Sequence, residues 1–483
     1  MKPINTKHCW MYLCLALSIF LLSACSQEET TGVTGSYVAQ VDITTQDTKT
    51  SIEEKYQAKV SLWQPELGLA LLVFEQKPDI STLAYGAESN QDTFYAPFRI
   101  AGSASGSAAW GGGSAAWGGG SAAWGGGSAA WGGGSTAWGG GQGFTGRLAP
   151  QKANARIWDK LDLGEAYDMA QTWGAGITVA VIDTGVDIYH SALQGRLSPS
   201  YMWYDFVNND NIPQEIAGGM GYGHGTAVAG IILQVAPDVK ILPYRVLDSN
   251  GYGDTDDIVS AIYYAIYYGA EIINLSLGSI QVSSLITSAI DYAYSKGVTV
   301  IASMGNEGYS NDLLFPSSLS SSDGVNSYKR GIFAVGSVNQ YDQISRFSNY
   351  QPNLTSEVKI GALRFFSYGE NVYTIYPGNQ SIYATGTSFA APIVSGTVAL
   401  MCAASEKLYL SRRNVYCGQD RGYSGNYYTW SSMNNALFHG SHNQVYKSSN
   451  DYRQLAVDPN LNRIEGRLNI AEALDLFIWR QNY

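Results

Sequence analysis

Four short segments of the chain carry side chains that could together break an acyl bond. Asp183 closes the apolar run from Ile177 to Ile182, in Asp183-Thr184-Gly185. His224 stands in Gly223-His224-Gly225-Thr226-Ala227-Val228-Ala229-Gly230, where small neighbours leave the ring accessible and an apolar helix follows. Asn306 comes after another apolar run, in Ser303-Met304-Gly305-Asn306-Glu307-Gly308. Ser388 lies in Gly386-Thr387-Ser388-Phe389-Ala390-Ala391-Pro392, at the start of a helix that runs to about Cys402. Singly, each has a plain structural use: Asp183 as a turn or cap residue, Ser388 as a helix N-cap, Asn306 as a turn former. Together they offer a different chemistry. A serine hydroxyl becomes a nucleophile when a base removes its proton, and an imidazole can serve as that base when a carboxylate orients it. An amide beside glycine can donate to an oxyanion as it forms. Ser388 lacks the Gly-x-Ser-x-Gly surroundings of α/β-hydrolases, which disfavours an esterase of that class. His190, His439 and His442 are not spaced with a second strong ligand for zinc.

Such side chains need a scaffold that gathers distant segments at one edge. From about 155 to 483, apolar β-branched runs alternate with helical patterns. Ile177 to Ile182, Val239 to Val246, Ile272 to Leu277, Val298 to Ala302 and Ile332 to Val338 read as buried strands, and Asp256 to Tyr268 and Leu285 to Lys296 as helices. This alternation predicts an α/β fold, a doubly wound parallel sheet covered on both faces. In such sheets the site lies at the carboxyl ends of the strands, which is where Asp183 and Asn306 fall.

The chain order Asp, His, Ser is that of subtilisin. Asp-Thr-Gly, Gly-His-Gly-Thr-x-Val-Ala-Gly, Gly-Asn-Glu-Gly and Gly-Thr-Ser-x-Ala-x-Pro follow one another between Gly176 and Leu400. This set resembles the signatures of the subtilisin-like serine proteases, the subtilase family. The tail from Gly466 to Ala473 looks like the family's last helix. The resemblance implies a serine endopeptidase in which Ser388 attacks a peptide carbonyl, His224 is its base and Asp183 orients the imidazole. It implies that the Asn306 amide and the Ser388 backbone N–H bind the oxyanion; such an amide contributes about 3–4 kcal/mol in subtilisin itself. Extended polypeptide substrate is expected to add a strand beside Ser276-Leu277-Gly278, with Ser303, Met304 and Gly305 across the primary pocket. Neither segment carries a charge, so an apolar or aromatic preference is expected. Ala227 stands where the family often has a second histidine, and Ser191-Ala192-Leu193 where it often has Pro-Asp-Leu. Met304 is bulkier than the usual alanine and is expected to narrow the pocket. Many relatives bind structural calcium; Asp205 to Asp210 and Asp254 to Asp257 are acidic enough, but no metal or other cofactor is assigned.

Residues 1–24 read as an export signal: Lys2 and Lys7, an apolar stretch from Trp10 to Leu22, then Ser23-Ala24-Cys25. Small residues before Cys25 and a polar tract after it resemble a bacterial lipoprotein signal, with lipid on Cys25 as the only membrane contact. The alternative is an ordinary signal with an incidental cysteine. The expected location is the cell envelope or, if released, the medium. Export favours a disulfide between the remaining Cys402 and Cys417, the alternative being two buried thiols. Residues 35–100 alternate as strands in Tyr37 to Ile43 and include the apolar run Leu67 to Phe74, consistent with a small α+β unit. Residues 101–146 hold a Ser-Ala-Ala-Trp-Gly-Gly-Gly repeat marked by Trp110, Trp117, Trp124, Trp131 and Trp138. Its glycines forbid a coiled coil and make it a flexible Gly/Trp-rich linker, with an r.m.s. reach of about 40 Å. A wall-binding role for its tryptophans is the alternative. The family carries a pro-domain of the size and pattern of 35–100. By that likeness this unit inhibits the site until a cut, expected in the linker or shortly after it, before Trp158. The chain of 483 residues has a net charge of −11 and lacks a long basic run, which argues against nucleic acid as a partner. A monomer is expected.

Overall fold

The computed structural model describes residues 37–79, 83, 87–89, 94–95, 99–100, 152–170, 172–308, 313–321, 332–350, 364–408, 443–444 and 466–475. The signal, Cys25, the Trp-Gly repeat and Cys417 lie outside them.

The first described unit is a small antiparallel sheet with one helix. Tyr37–Asp42 (β1), Lys59–Gln64 (β2), Leu69–Phe74 (β3) and Glu88–Ser89 (β4) lie in the order β2-β3-β1-β4. The helix Lys49–Tyr56 (α1) starts at a reciprocal cap between Thr48 and Ser51. Ile52 of α1 packs with Ala39, Val41, Val60 and Leu72 on one face of the sheet. Val38, Leu62, Leu69 and Leu71 on the other face join the core of the large unit. Burial on both faces explains why β3 is apolar throughout and does not alternate. Phe94–Tyr95 (β5) and Arg99–Ile100 (β6) follow.

The large unit begins with Ala155–Lys160 (α2) and Leu163–Ala170 (α3), then Thr178–Asp183 (β7), Tyr204–Asp205 (β8), His224–Val235 (α4) and Lys240–Arg245 (β9). Next come Tyr252–Gly253 (β10), Thr255–Tyr267 (α5), Ile272–Leu275 (β11), Ser284–Ser295 (α6) and Thr299–Ser303 (β12). Ile332–Val338 (β13), Arg364–Tyr368 (β14), Val372–Tyr376 (β15), Gln380–Thr385 (β16) and Thr387–Leu408 (α7) lead to Asn443–Gln444 (β17) and Gly466–Arg467 (β18). The expected strands and helices are present, most with ends displaced by a residue or two; α7 runs on to Leu408, six residues past Cys402, and Gly466–Arg467, expected in the last helix, form β18 instead.

The main sheet runs β17-β18-β14-β13-β12-β11-β7-β9-β8. Its pairings are parallel except for that of β17 with β18. From β7 the chain steps outward to β9, then returns to the other side of β7 at β11 and continues through β12, β13 and β14. The order therefore reverses between β7 and β11, and the carboxyl ends of strands at such a reversal are where sheets of this kind place their sites. On one face α4 and α7 bury Ile231, Val235, Val394 and Val398. On the other, α5 and α6 bury Ile258, Ile262, Ile286 and Ile290. Each such side chain contributes about 1.5–3 kcal/mol on burial, so both faces of the sheet are held firmly. Outside the main sheet β15 pairs antiparallel with β16, β6 joins the other side of β16, and β5 pairs with β10.

Candidate active site

Asp183 is the last residue of β7 and has no exposed surface. Its Oδ1 accepts from Thr184 N at 2.7 Å and from Thr184 Oγ1 at 3.3 Å. The same oxygen lies 2.6 Å from His224 Nδ1. A carboxylate can only accept, so Nδ1 carries the proton and Nε2 is the basic nitrogen.

His224 opens α4 because the chain turns sharply at Gly223, which has φ 90°. A side chain at Gly223 would also strike the Tyr376 ring, 2.0 Å from where a Cβ would sit. Gly225 serves a close approach: a Cβ there would lie 2.1 Å from Gly185 O and 3.1 Å from Asp183 Cβ. These glycines let the first turn of α4 press against the end of β7, and they are the physical content of the Gly-His-Gly pattern. Gly223 supplies no side chain to cap α4. Glu215, from the preceding loop, accepts from Gly223 N at 2.8 Å and from Thr226 N at 3.0 Å instead. Burial pushes Glu215 up to about 8, against the pull of these N–H donors.

Ser388 is the second residue of α7 and is fully buried, as is His224. The Phe389 ring packs on the imidazole with centroids 5.3 Å apart, which sets the serine turn beside His224. Ser388 is tied to the segment after β11. Its Oγ donates to Ser276 O at 3.2 Å, and Ser276 Oγ donates to Ser388 O at 2.8 Å. Pro392 explains the second bond. It has no N–H for the carbonyl four residues back, so Ser388 O needs another donor. Asn274 Nδ2 donates to Ser276 Oγ at 2.9 Å, and Ser395 Oγ donates to Asn274 Oδ1 at 2.8 Å, which links α7 to β11 a second time.

Asn306 lies on the loop after β12. Its Oδ1 accepts from Thr387 N at 2.9 Å and Thr387 Oγ1 at 3.0 Å, so the donor side of the amide is Nδ2. Thr387 Oγ1 also accepts from Gly305 N at 3.2 Å. Asn349 braces the same loop, donating to Met304 O at 3.2 Å and to Glu307 Oε2 at 2.6 Å.

Ser276 and Leu277 are buried, and Ser279 just beyond Gly278 pairs with Phe315 by two bonds of 2.8 Å. Ser303 and Gly305 flank Met304 at the end of β12. Met304 itself is fully buried, and its Sδ would lie 3.1 Å from a Cβ at Gly336. Met304 packs with the core on this face of the sheet, where Gly336 leaves room for its sulfur. Cys402 is buried in α7 and disulfide-bonded. Among the described residues, no three His, Cys, Asp or Glu side chains gather in a way that could hold a metal ion. Beside Asp183 in register on β9 sits Arg245, wholly buried and paired with Asp205 at 3.0 Å. Burial raises Asp205 to about 6 although Arg245 opposes it.

Sequence reasoning singled out Asp183, His224, Asn306 and Ser388, and the fold gathers their elements around one crevice. It missed Glu215, Asn274, Asn349 and the clamp made by Thr387. Thr387 was within reach as part of the Gly-Thr-Ser motif; the other three stand in segments with no recognisable spacing to the site.

The subtilase family profile matches residues 174–450. The chain is 35% identical to a thermophilic serine proteinase of Bacillus sp. strain AK1, over 56% of this chain and 63% of that protein. It is 34% identical to thermitase of Thermoactinomyces vulgaris, over 50% of this chain and 80% of that protein. Subtilisin DY of Bacillus licheniformis is 33% identical over 47% of this chain and 77% of its own length. With the carboxylate–imidazole pair, the helix-borne serine and this match in hand, the chain belongs to the subtilase family and carries the machinery of a serine endopeptidase.

Proposed function

We propose that this protein is an exported endopeptidase that cleaves extended polypeptides at Ser388. The observation that carries the reading is the buried Asp183–His224 contact of 2.6 Å at the end of β7, with the start of α7 packed on the imidazole. Ser388 Oγ attacks the substrate carbonyl, and its proton passes to His224 Nε2. The imidazolium then gives that proton to the leaving amine. Water repeats the sequence on the acyl-enzyme and frees Ser388. Asp183 holds the tautomer and offsets the imidazolium charge. Asn306 Nδ2 and the Ser388 N–H receive the oxyanion, a role supported by the capture of Asn306 Oδ1 by Thr387. The uncharged segments Ser276 to Gly278 and Ser303 to Gly305 support an apolar or aromatic preference.

The chain is made as a precursor in this reading, with a lipoprotein-type signal ending before Cys25 and residues 35–100 as an inhibitory pro-segment. Support comes from β5 and β6. β5 pairs with β10, and β6 pairs with β16, three residues before Ser388. The absence of exposed surface at Ser388 and His224 fits a covered site. Release by a cut between Tyr95 and Arg99 stands beside the linker cut expected from the sequence, because β6 pairs with the strand that leads to Ser388.

A fluorophosphonate probe tests the reading. Labelling of the processed protein at Ser388, abolished in Ser388→Ala and at least 100-fold slower in His224→Ala, is the expected result. A processed, folded protein that is not labelled would favour a non-catalytic binding module instead.

A further inference from the structure

We infer that Glu215 is a positioning residue for the Asp183–His224 pair, holding the first turn of α4 and sharing the Thr184 hydroxyl with Asp183. The inference rests on the endopeptidase reading and extends it to a residue outside the four motifs. Glu215 is 5% exposed and sits in the stretch between β8 and α4. Its Oε2 takes Gly223 N at 2.8 Å; its Oε1 takes Thr226 N and Thr226 Oγ1, both at 3.0 Å. Thr184 Oγ1 lies 3.2 and 3.3 Å from the two Glu215 oxygens and 3.3 Å from Asp183 Oδ1. That hydroxyl also accepts from Gly225 N at 3.0 Å.

The first-turn donors of α4 can therefore be followed in full. Gly223 and Thr226 give their N–H to Glu215, and Gly225 gives its N–H to the threonine that Glu215 holds. His224 N bonds Gly221 O at 3.1 Å, and Ala227 N bonds Gly223 O at 3.0 Å. A helix start needs such acceptors, and Gly223 has no side chain to offer one. Glu215 fills the place of the N-cap, and the positive field of the helix start favours a carboxyl group there. His224 and Gly225 lie between its two N–H contacts. A shift of this turn moves the imidazole against Asp183, and a misplacement of about 1 Å costs on the order of 100-fold in rate.

The second link runs through Thr184. Its single hydroxyl proton can go to Asp183 or to Glu215, so the two carboxyl groups are coupled through one atom. Asp183 at the end of β7, Tyr222 beside the α4 start and Tyr376 at the end of β15 also face Glu215. Tyr222 and Tyr376 meet edge to face at 5.6 Å and close the pocket.

Glutamine at this position offers one acceptor oxygen and turns an NH2 group toward an N–H that the carboxyl satisfied. In protein expressed as the full-length chain and then processed, Glu215→Gln is expected to lower kcat about 10- to 100-fold on a fluorogenic apolar peptide, with KM within threefold of wild type. Thr184→Val is expected to lower kcat as well, and the double variant to lose less than the product of the two single losses, because the two side chains share one hydroxyl. A folded Glu215→Gln with kcat within threefold of wild type would overturn the inference, and so would losses that multiply in the double variant. If Glu215→Gln does not fold, Thr226→Val removes one donor to Glu215 without touching Thr184; a kcat loss of about threefold or more supports the inference, and an unchanged kcat overturns it. Fluorophosphonate labelling of wild type separates the two levels. An unlabelled wild type removes the endopeptidase reading and this inference with it; a labelled wild type beside an unaffected Glu215→Gln removes only the inference.

Discussion

Replacing Thr387 by valine probes how the oxyanion amide is aimed. The substitution keeps the side-chain volume and removes one hydroxyl. That hydroxyl donates to Asn306 Oδ1 at 3.0 Å and accepts from Gly305 N at 3.2 Å. The backbone bond from Thr387 N to Asn306 Oδ1, 2.9 Å, survives. Asn306 would keep its orientation with half of its clamp gone. A neutral hydrogen bond contributes about 0.5–1.5 kcal/mol, and loss of the whole oxyanion amide about 3–4 kcal/mol. The expected penalty lies between these, about 1.5–2 kcal/mol, which is roughly a 10- to 30-fold fall in kcat. KM should stay within threefold, because the ground-state carbonyl does not yet carry the charge that the amide stabilises. The buried Gly305 N–H loses its acceptor at a cost of about 1–3 kcal/mol, so Tm should fall by roughly 2–10 °C. Steady-state kinetics on a fluorogenic apolar peptide and calorimetry of the Ser388→Ala background read the two effects separately. A kcat within twofold of wild type together with a lowered Tm would refute the aiming role and leave Thr387 a merely structural residue.

Asp205→Ala should destabilise the fold by about 3–5 kcal/mol, because Arg245 stays buried without the carboxylate at 3.0 Å. In the Ser388→Ala background this is a Tm fall of roughly 6–20 °C, and a change under 2 °C would contradict it. His190 Nδ1 accepts from Ala192 N at 3.1 Å, and burial holds the imidazole below its ordinary value, against Gln380 O and Asp187. Its unfolded form binds a proton more readily, so its stabilising contribution is present above about pH 6.5 and lost as pH falls below that. His190→Asn, which keeps an acceptor for Ala192, should flatten the decline of Tm below pH 6.5; an unchanged slope would place the titration elsewhere. Non-reducing peptide mapping should recover Cys402 linked to Cys417, and Cys417→Ser should lower stability by about 3 kcal/mol. Mass spectrometry of the mature N-terminus should find a start between Ala96 and Arg99. A start beyond Gly141 would return the cut to the linker, and a mature chain that keeps Tyr37 would end the pro-segment reading.

Much of the catalytic apparatus was legible in the chain because its requirements are local. Asp183 must follow a buried strand, and β7 is a run of apolar β-branched residues that declares itself. His224 needs glycines on both sides, since a Cβ at Gly223 or Gly225 would meet Tyr376 or Gly185 O at about 2 Å. Ser388 needs a helix start, and Pro392 in the next turn marks where the Ser388 carbonyl must find a partner in Ser276. Each of these is a demand that a few neighbouring residues express. Met304 shows what such local reading leaves out: the small Gly336 on the next strand, which makes room for its sulfur, has no fixed spacing from it in the motif.

What the chain alone determined, then, is the set of strands, the helices between them and the reactive groups at their ends, because periodicity and steric fit along a few residues dictate these. Only the tertiary structure decided which distant groups hold the reactive ones in place. Glu215 reaches the α4 turn from a loop without periodicity, Asn349 clasps the loop after β12 from well downstream, and β5 and β6 find their edges across much of the chain. A hydrogen bond between residues far apart leaves no spacing to read. It exists because the sheet reverses its order between β7 and β11 and brings those segments within about 3 Å of one another.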